Sequence, residues 1–202
     1  ALIIGSNGLP LVQSSSQIIG NPNPDWLAGI RNNFSYKNVS LSFLLDVRKG
    51  GDIWNGTLAR LNRLGVTQES ADNRSATYVI PGVTTTGAAN TVAVSNKTYY
   101  VNYLGDSGAA NEQQVEKDIN WLRCRDISLS YSFEKILSRY KTTSFIKDCH
   151  LTLSARNLFV ITNYKGVDPE TSIAGSSSNT NGFDYFNNPG SKSYALTLKL
   201  NF

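Results

Sequence analysis

Long runs of alternating apolar and polar residues constrain this chain more than any other feature. In residues 26–36, Trp26, Ala28, Ile30, Phe34 and Tyr36 share one face, broken only by Asn32, and oppose Arg31, Asn33 and Ser35. After Lys37-Asn38, a two-residue hairpin turn, residues 39–49 set Val39, Leu41, Phe43, Leu45 and Val47 against Ser40, Ser42, Asp46 and Arg48. Residues 119–133 repeat the pattern with Ile127, Leu129, Tyr131 and Phe133 against Ser128, Ser130 and Ser132. Residues 147–160 set Leu151, Leu153, Ala155 and Phe159 against Thr152, Ser154 and Arg156, and 191–202 set Tyr194, Leu196, Leu198, Leu200 and Phe202 against Ala195, Thr197, Lys199 and Asn201. A period of two is the signature of strands with one apolar face. A sixth strand is expected near 12–19, and a short helix at 53–64.

Alternation is shared by soluble sandwiches and membrane barrels, so other features must separate them. The runs are about 11–14 residues long, against a usual 5–6 in soluble sheets. A tilted strand of about that length spans the apolar band of an outer-membrane barrel. The connections also alternate: short at 37–38, very long at 50–118, short at 134–146, long at 162–190. Antiparallel strands put every short connection on one side and every long one on the other, as periplasmic turns and outer loops are arranged. Mean hydropathy is −0.25, and no window approaches the ~18 apolar residues of a membrane helix. The reading is therefore an all-β, antiparallel transmembrane β-barrel segment, with 50–118 and 162–190 as long extracellular loops. A soluble or surface-displayed β-sheet module that binds glycans is the alternative.

The aromatic residues sort towards strand ends, as rings at two membrane interfaces would. Phe34, Tyr36, Tyr131, Phe133 and Phe202 fall at the inner end, and Trp26, Trp121, Phe159 and Tyr194 at the outer. Arg123 and Arg125 share parity with Ile127 and would face lipid. Either the strand rises above the hydrocarbon there, or a β-bulge near 124–126 flips the face. In this register Cys124 and Cys149 lie at opposite ends of a strand pair whose turn centres near residue 140, too far apart for a disulfide.

Chemistry is sparse. His150 is the single histidine and has no carboxylate pattern beside it; no nucleophile elbow, phosphate loop or HExxH occurs. No catalytic residue and no cofactor site are expected. Asp168, Glu170 and Asp184 in the second loop could collect a Ca²⁺, although solvated carboxylates explain them more simply. The cations are scattered apart from Lys135, Arg139, Lys141 and Lys147, a solvated turn rather than a nucleic-acid footprint. Candidate partner or cargo contacts are Tyr78, Tyr99, Tyr100 and Tyr103 in the first loop and Phe183, Tyr185 and Phe186 in the second. The plainer alternative is that these rings fold the loops on themselves.

The order of motifs resembles SusC/RagA-type TonB-dependent transporters. The matching runs are Asn21-Pro22-Asn23-Pro24-Asp25-Trp26, Asn33-Phe34-Ser35-Tyr36-Lys37-Asn38, Leu41-Ser42, Gly50-Gly51-Asp52 with Asn55, Trp121-Leu122-Arg123, and Ser128-Leu129-Ser130-Tyr131. Ser154-Ala155-Arg156-Asn157-Leu158-Phe159, Tyr164 to Glu170, Gly182-Phe183-Asp184-Tyr185 and Pro189 continue it. The resemblance implies the last five or six strands of a 22-stranded barrel with a plug lying outside this chain, in the outer membrane of a Gram-negative bacterium. It further implies import of oligosaccharides or peptides, powered by TonB through the missing N-terminal part, with a SusD-like surface lipoprotein as lid. The sequence holds no methionine, so Ala1 is expected to be internal or to follow a cleavage. Five or six strands cannot close a barrel, so the rest of the wall is expected from elsewhere. Tyr194, Leu196, Leu198, Leu200 and Phe202 resemble a C-terminal assembly signal, an open edge read by strand addition.

Overall fold

The five alternating runs form five antiparallel strands: β1 (Trp26–Tyr36), β2 (Val39–Lys49), β3 (Trp121–Ser132), β4 (Asp148–Thr162) and β5 (Ser193–Asn201). They build one meander in the order β5-β4-β3-β2-β1. The computed structural model describes residues 1–13, 15–106, 111–137, 139, 145–175 and 179–202. Lys141 and the turn centre near residue 140 lie outside the described residues. Lys37 supplies the positive φ of 54° that the β1–β2 turn needs.

Register carries the apolar pattern across the sheet. Phe34, Leu41, Leu129, Leu153 and Leu196 occupy one continuous row of paired positions, and Tyr36, Val39, Tyr131, Leu151 and Leu198 the next. The opposite face is lined by hydroxyls. Ser35 meets Ser40 at 3.1 Å, Ser42 meets Ser128 at 2.7 Å, and Ser130 meets Thr152 at 2.8 Å. Such cross-strand pairs fix register as well as adding a little stability. The apolar face remains largely exposed, so among the described residues no second sheet covers it, which speaks against the sandwich reading. β1 and β5 do not pair with each other, and the sheet stays open.

The bulge expected as one of two alternatives is present. Leu44 pairs Asp126, then Leu45 pairs Cys124, so Arg125 is the extra residue. β4 accommodates the same irregularity between Arg156 and Phe159, where Asn157 adopts φ 49°. Beyond the bulge parity reverses. Leu122 and Cys124 now share the apolar face with Val47 and Leu45, while Arg123 sits opposite Asp46 and Trp121 opposite Arg48. Arg125 Nε lies 2.6 Å from Asp46 Oδ2, and both guanidinium groups approach the Trp121 ring. Trp121, expected in the outward aromatic girdle, is thereby corrected: it is buried on the polar face. Phe159 is in register with Cys124, and Tyr194 with Ala155. At the hairpin end Tyr131 and Phe133 touch edge-on at 4.7 Å, and Phe145 and Phe202 lie 4.9 Å apart. Cys124 faces Phe159 while Cys149 lies near the other end of β4, and both thiols are free.

A second compact unit comprises Ala1–Asn23, Gly51–Asp118 and Tyr164–Asn188. The two long connections are therefore folded, together with the segment Ala1–Asn23. Among the described residues of 12–19 no strand forms; the serine run there offers no apolar face to pair. Short ladders hold the unit: Ile3–Ile4 beside Val83–Thr84, Thr77–Val79 against Ala93–Ser95, and Ile53–Asn55 between Phe183–Asp184 and Val115–Glu116. Ile4, Ile80, Val94 and Tyr103 form its core, with Leu2, Leu9, Tyr78, Tyr99 and Leu104 packed around them. The helix expected at 53–64 begins later, at Gly56–Leu64. Asn55 Oδ1 accepts the Leu58 N–H at its start, and Gly65 at φ 68° closes its end.

Candidate functional site

Two aromatic groups mark the second unit, and they differ in what surrounds them. In the first, Tyr78 and Tyr99 stack at 4.4 Å, Tyr99 meets Tyr100 edge-on at 5.2 Å, and Tyr99 lies 5.5 Å from Tyr103. Tyr100 and Tyr103 are buried. Burial pushes the Tyr99 and Tyr103 hydroxyls up, and with the neighbouring Tyr78 pushes Tyr100 up to about 12. Buried rings that stay neutral are core material. Tyr100 and Tyr103 thus pack inside the first connection, while Tyr78 and Tyr99 stay half-buried beside them.

The second group stays open. Trp54 stacks on Tyr185 at 6.2 Å and 15°, lies 6.1 Å from Phe183, and Tyr185 meets Phe186 edge-on at 5.2 Å. Phe183 and Phe186 are exposed. Only glycine fits at position 56, because a Cβ there would come within 2.2 Å of the Trp54 ring. The short ladder Phe183–Asp184 beside Trp54–Asn55 joins the two connections. Asn55 also donates through Nδ2 to Glu116 Oε1 at 2.7 Å, and Glu116 Oε2 accepts the Lys165 N–H at 2.9 Å.

Two clefts border this group. One of about 290 Å³ is mainly apolar, lined by Ile19, Pro22, Trp54, Val115 and Phe183. Asp52 stands at its rim. Burial works against its charge, yet the Asn21 and Asp118 N–H groups and Lys117 outweigh this and hold the carboxyl below its ordinary value. The other, of about 510 Å³, is lined by Glu170, Ser172, Tyr185, Phe186, Asn187 and Asn188 among others.

The three carboxylates considered for Ca²⁺ do not converge. Asp184 is occupied: its Oδ1 accepts from Thr57 at 2.8 Å and its Oδ2 from the Tyr164 hydroxyl at 2.5 Å. Burial and this bond push the Tyr164 hydroxyl far above the ordinary range. Asp168 Oδ1 accepts the Glu170 N–H at 3.0 Å, which serves its own turn. Among the described residues no group of three such side chains is placed to hold a metal ion. His150 pairs with Asp148 at 2.5 Å in the sheet.

No family model matches the chain. TonB-dependent receptor P3 of Formosa agariphila is 29% identical over 191 residues, covering 92% of this chain and 17% of that protein. TonB-dependent receptor SusC of Bacteroides thetaiotaomicron is 27% identical over 205 residues, covering 100% of this chain and 17% of that protein. A chain of the RagAB peptide importer in its 'open-open' state superposes with a TM-score of 0.60 at 21% identity, over 100% of this chain and 20% of that one. The 'closed-closed' state gives 0.57 at 18%. This chain spans 17% of the length of these curated relatives, and the structural likeness establishes the fold as an open section of antiparallel barrel wall. The relatives are named as receptors and importers, not enzymes. The ordered motifs, the open sheet and these relatives agree that the chain resembles the C-terminal barrel segment of SusC/RagA-type TonB-dependent transporters.

Proposed function

We propose that this chain is part of a TonB-dependent importer in the outer membrane of a Gram-negative bacterium. It contributes barrel wall through β1–β5 and outward-facing loops through residues 50–118 and 162–190. The observation that carries the reading is the largely exposed apolar face that continues across five strands whose outer edges find no partner among the described residues. In lipid each unsatisfied backbone group costs several kcal/mol, so neighbouring strands from the rest of the same barrel must cover both edges. Trp26, Phe34, Tyr36, Tyr131, Phe133 and Phe159 then serve as interface rings. A SusD-like lipoprotein as lid, TonB as energy source, and oligosaccharide or peptide as cargo complete the proposal. The likeness to SusC and to a peptide importer supports each of them.

Fractionation tests it. The full-length protein should stay with outer membranes through salt and alkaline washes and be released by detergent, and uptake should stop when TonB is deleted. Release without detergent would sink the membrane reading.

A further inference from the structure

Four cations stand along one rim of the sheet, and the backbone ties them there. The Ser132 N–H donates to the Asn38 carbonyl, the Phe133 N–H to that of Cys149 and the Lys147 N–H to that of Asn201, each at 2.8 Å. Lys37 therefore lies beside the end of β3, and Lys147 beside the end of β5. Between β3 and β4 the chain turns through a short helix, Glu134–Leu137, and the Arg139 N–H closes on the Ile136 carbonyl at 3.2 Å. Lys37, Lys135, Arg139 and Lys147 are all exposed. The acids of the rim do not cancel them. Glu134 is exposed, but Asp148 is taken up by His150 at 2.5 Å. Apolar side chains crowd the same rim: Tyr36, Phe145 and Phe202 expose 73%, 74% and 60% of their surface, and Ile136 41%. Lys37 Nζ lies 5.1 Å from the centre of the Tyr36 ring.

We propose that this rim binds anionic phospholipid headgroups in the leaflet on the side of the short connections, an inference that rests on the outer-membrane reading and goes beyond it. The apolar sheet face ends in exposed rings, with cations one step further on. That is the order of hydrocarbon, interface and headgroup met on leaving a bilayer. Each ammonium offers three donors, and the Arg139 fork can meet two phosphate oxygens at once. A zwitterionic headgroup brings its own cation to this place, whereas an anionic one gains from every Lys and Arg near it. The backbone bonds along the rim hold the cations close together before any lipid arrives, which lowers the ordering cost of binding. A nucleic acid needs a denser basic stripe and has no use for the rings. Headgroups held here fix the height of the wall in the membrane.

The test uses the full-length transporter in vesicles of equal parts phosphatidylglycerol and phosphatidylcholine. A bimane fluorophore is placed on Ile136→Cys, with the native cysteines replaced by serine. A nitroxide quencher is carried in the acyl chain of one lipid or the other. The ratio of the two quenching constants reports which lipid collects at the rim. Phosphatidylglycerol should be preferred about fivefold, and the preference should fade as salt approaches about 1 M. Lys37→Gln, Lys135→Gln, Arg139→Gln and Lys147→Gln together should abolish it, while Lys37→Arg, Lys135→Arg and Lys147→Arg together should keep it. Heat-modifiable gel migration confirms that each variant is folded. Equal quenching by the two lipids in the otherwise unaltered protein overturns the headgroup site, and so does a preference that survives the four Gln substitutions. A second label at Leu153→Cys separates the two readings. Lipid quenching there, with no preference at Ile136→Cys, defeats the rim proposal alone; no lipid quenching at either position overturns the membrane reading along with it.

Discussion

In the loop unit, Ile4, Ile80, Val94 and Tyr103 meet in a closed core; in the sheet, Leu129, Leu153 and Leu196 expose 48%, 56% and 70% of their surface at the middle of long strands. The two regions draw on similar apolar residues and use them oppositely. A soluble fold hides such rows, because exposed contiguous apolar patches mark sites of association or lipid contact. The loop unit therefore meets the rule for water, and the sheet the rule for a hydrocarbon solvent. One chain carries both because its connections are long enough to fold among themselves.

A crossed pair of substitutions should break the symmetry most strongly. Ile80→Ala in the loop unit should destabilise that unit by about 2–5 kcal/mol, the usual cost of truncating a packed aliphatic core residue, and leave insertion unchanged. Leu153→Arg should cost the inserted barrel about 2–4 kcal/mol and lower insertion yield, while Leu153→Ala does little, since lipid chains fill the space. Local hydrogen exchange and denaturant titration in vesicles read the two effects. If Leu153→Ala proved as costly as Ile80→Ala, the sheet face would be a protein core.

The sheet was legible because period two survives for whole strands and the Lys37-Asn38 turn pins the first hairpin. Legibility stops at Arg125. A bulge is a backbone event, and Arg123 alone does not say whether it rises above the lipid or turns inward. A signal was nevertheless present: Leu122 and Cys124 are apolar at even positions, Ile127 and Leu129 at odd ones. That switch of parity marks the bulge and predicts the inward Trp121. The loop unit was illegible for another reason. Its ladders are two or three residues long, too short for any periodicity, and they join segments far apart in sequence. The tyrosines there could equally have been core or contact, and only burial decides. The Thr57–Asp184–Tyr164 relay joins residues more than a hundred positions apart, with no local signature.

A smaller effect is expected at Gly56. Gly56→Ala would place a methyl against the Trp54 ring, and such overpacking typically costs about 1–3 kcal/mol. Trp54 should leave its stack on Tyr185, visible as a change in tryptophan fluorescence, while barrel insertion stays normal. Unchanged fluorescence would mean that the ring has more room than the packing indicates.

The tyrosine core gives a pH test confined to the loop unit. Tyr100 has its pKa raised from an ordinary 10.0 to about 12, and Tyr99 and Tyr103 are raised as well. A raised folded-state value means that the folded unit holds its protons more tightly than the unfolded chain. Its stabilising contribution is complete below pH 10 and is lost as pH rises towards 12. Tyrosinate absorbance followed with hydrogen exchange should show the loop unit loosening across that window; full protection retained beyond pH 12 would contradict it.

The most direct test of the central claim is a single-cysteine scan of β3 from Trp121 to Ser132 in the full-length protein, reconstituted in lipid with Cys124 and Cys149 otherwise replaced by serine. Each site is labelled with a fluorophore and exposed in turn to a lipid-phase and an aqueous quencher. Odd positions from Ile127 to Tyr131 should respond to the lipid quencher and even ones to the aqueous quencher. The parity should reverse across Arg125, with positions 122 and 124 facing lipid and 121 and 123 shielded from it. Uninterrupted parity along the strand would remove the bulge, and aqueous access on both faces would show that this sheet does not line a membrane.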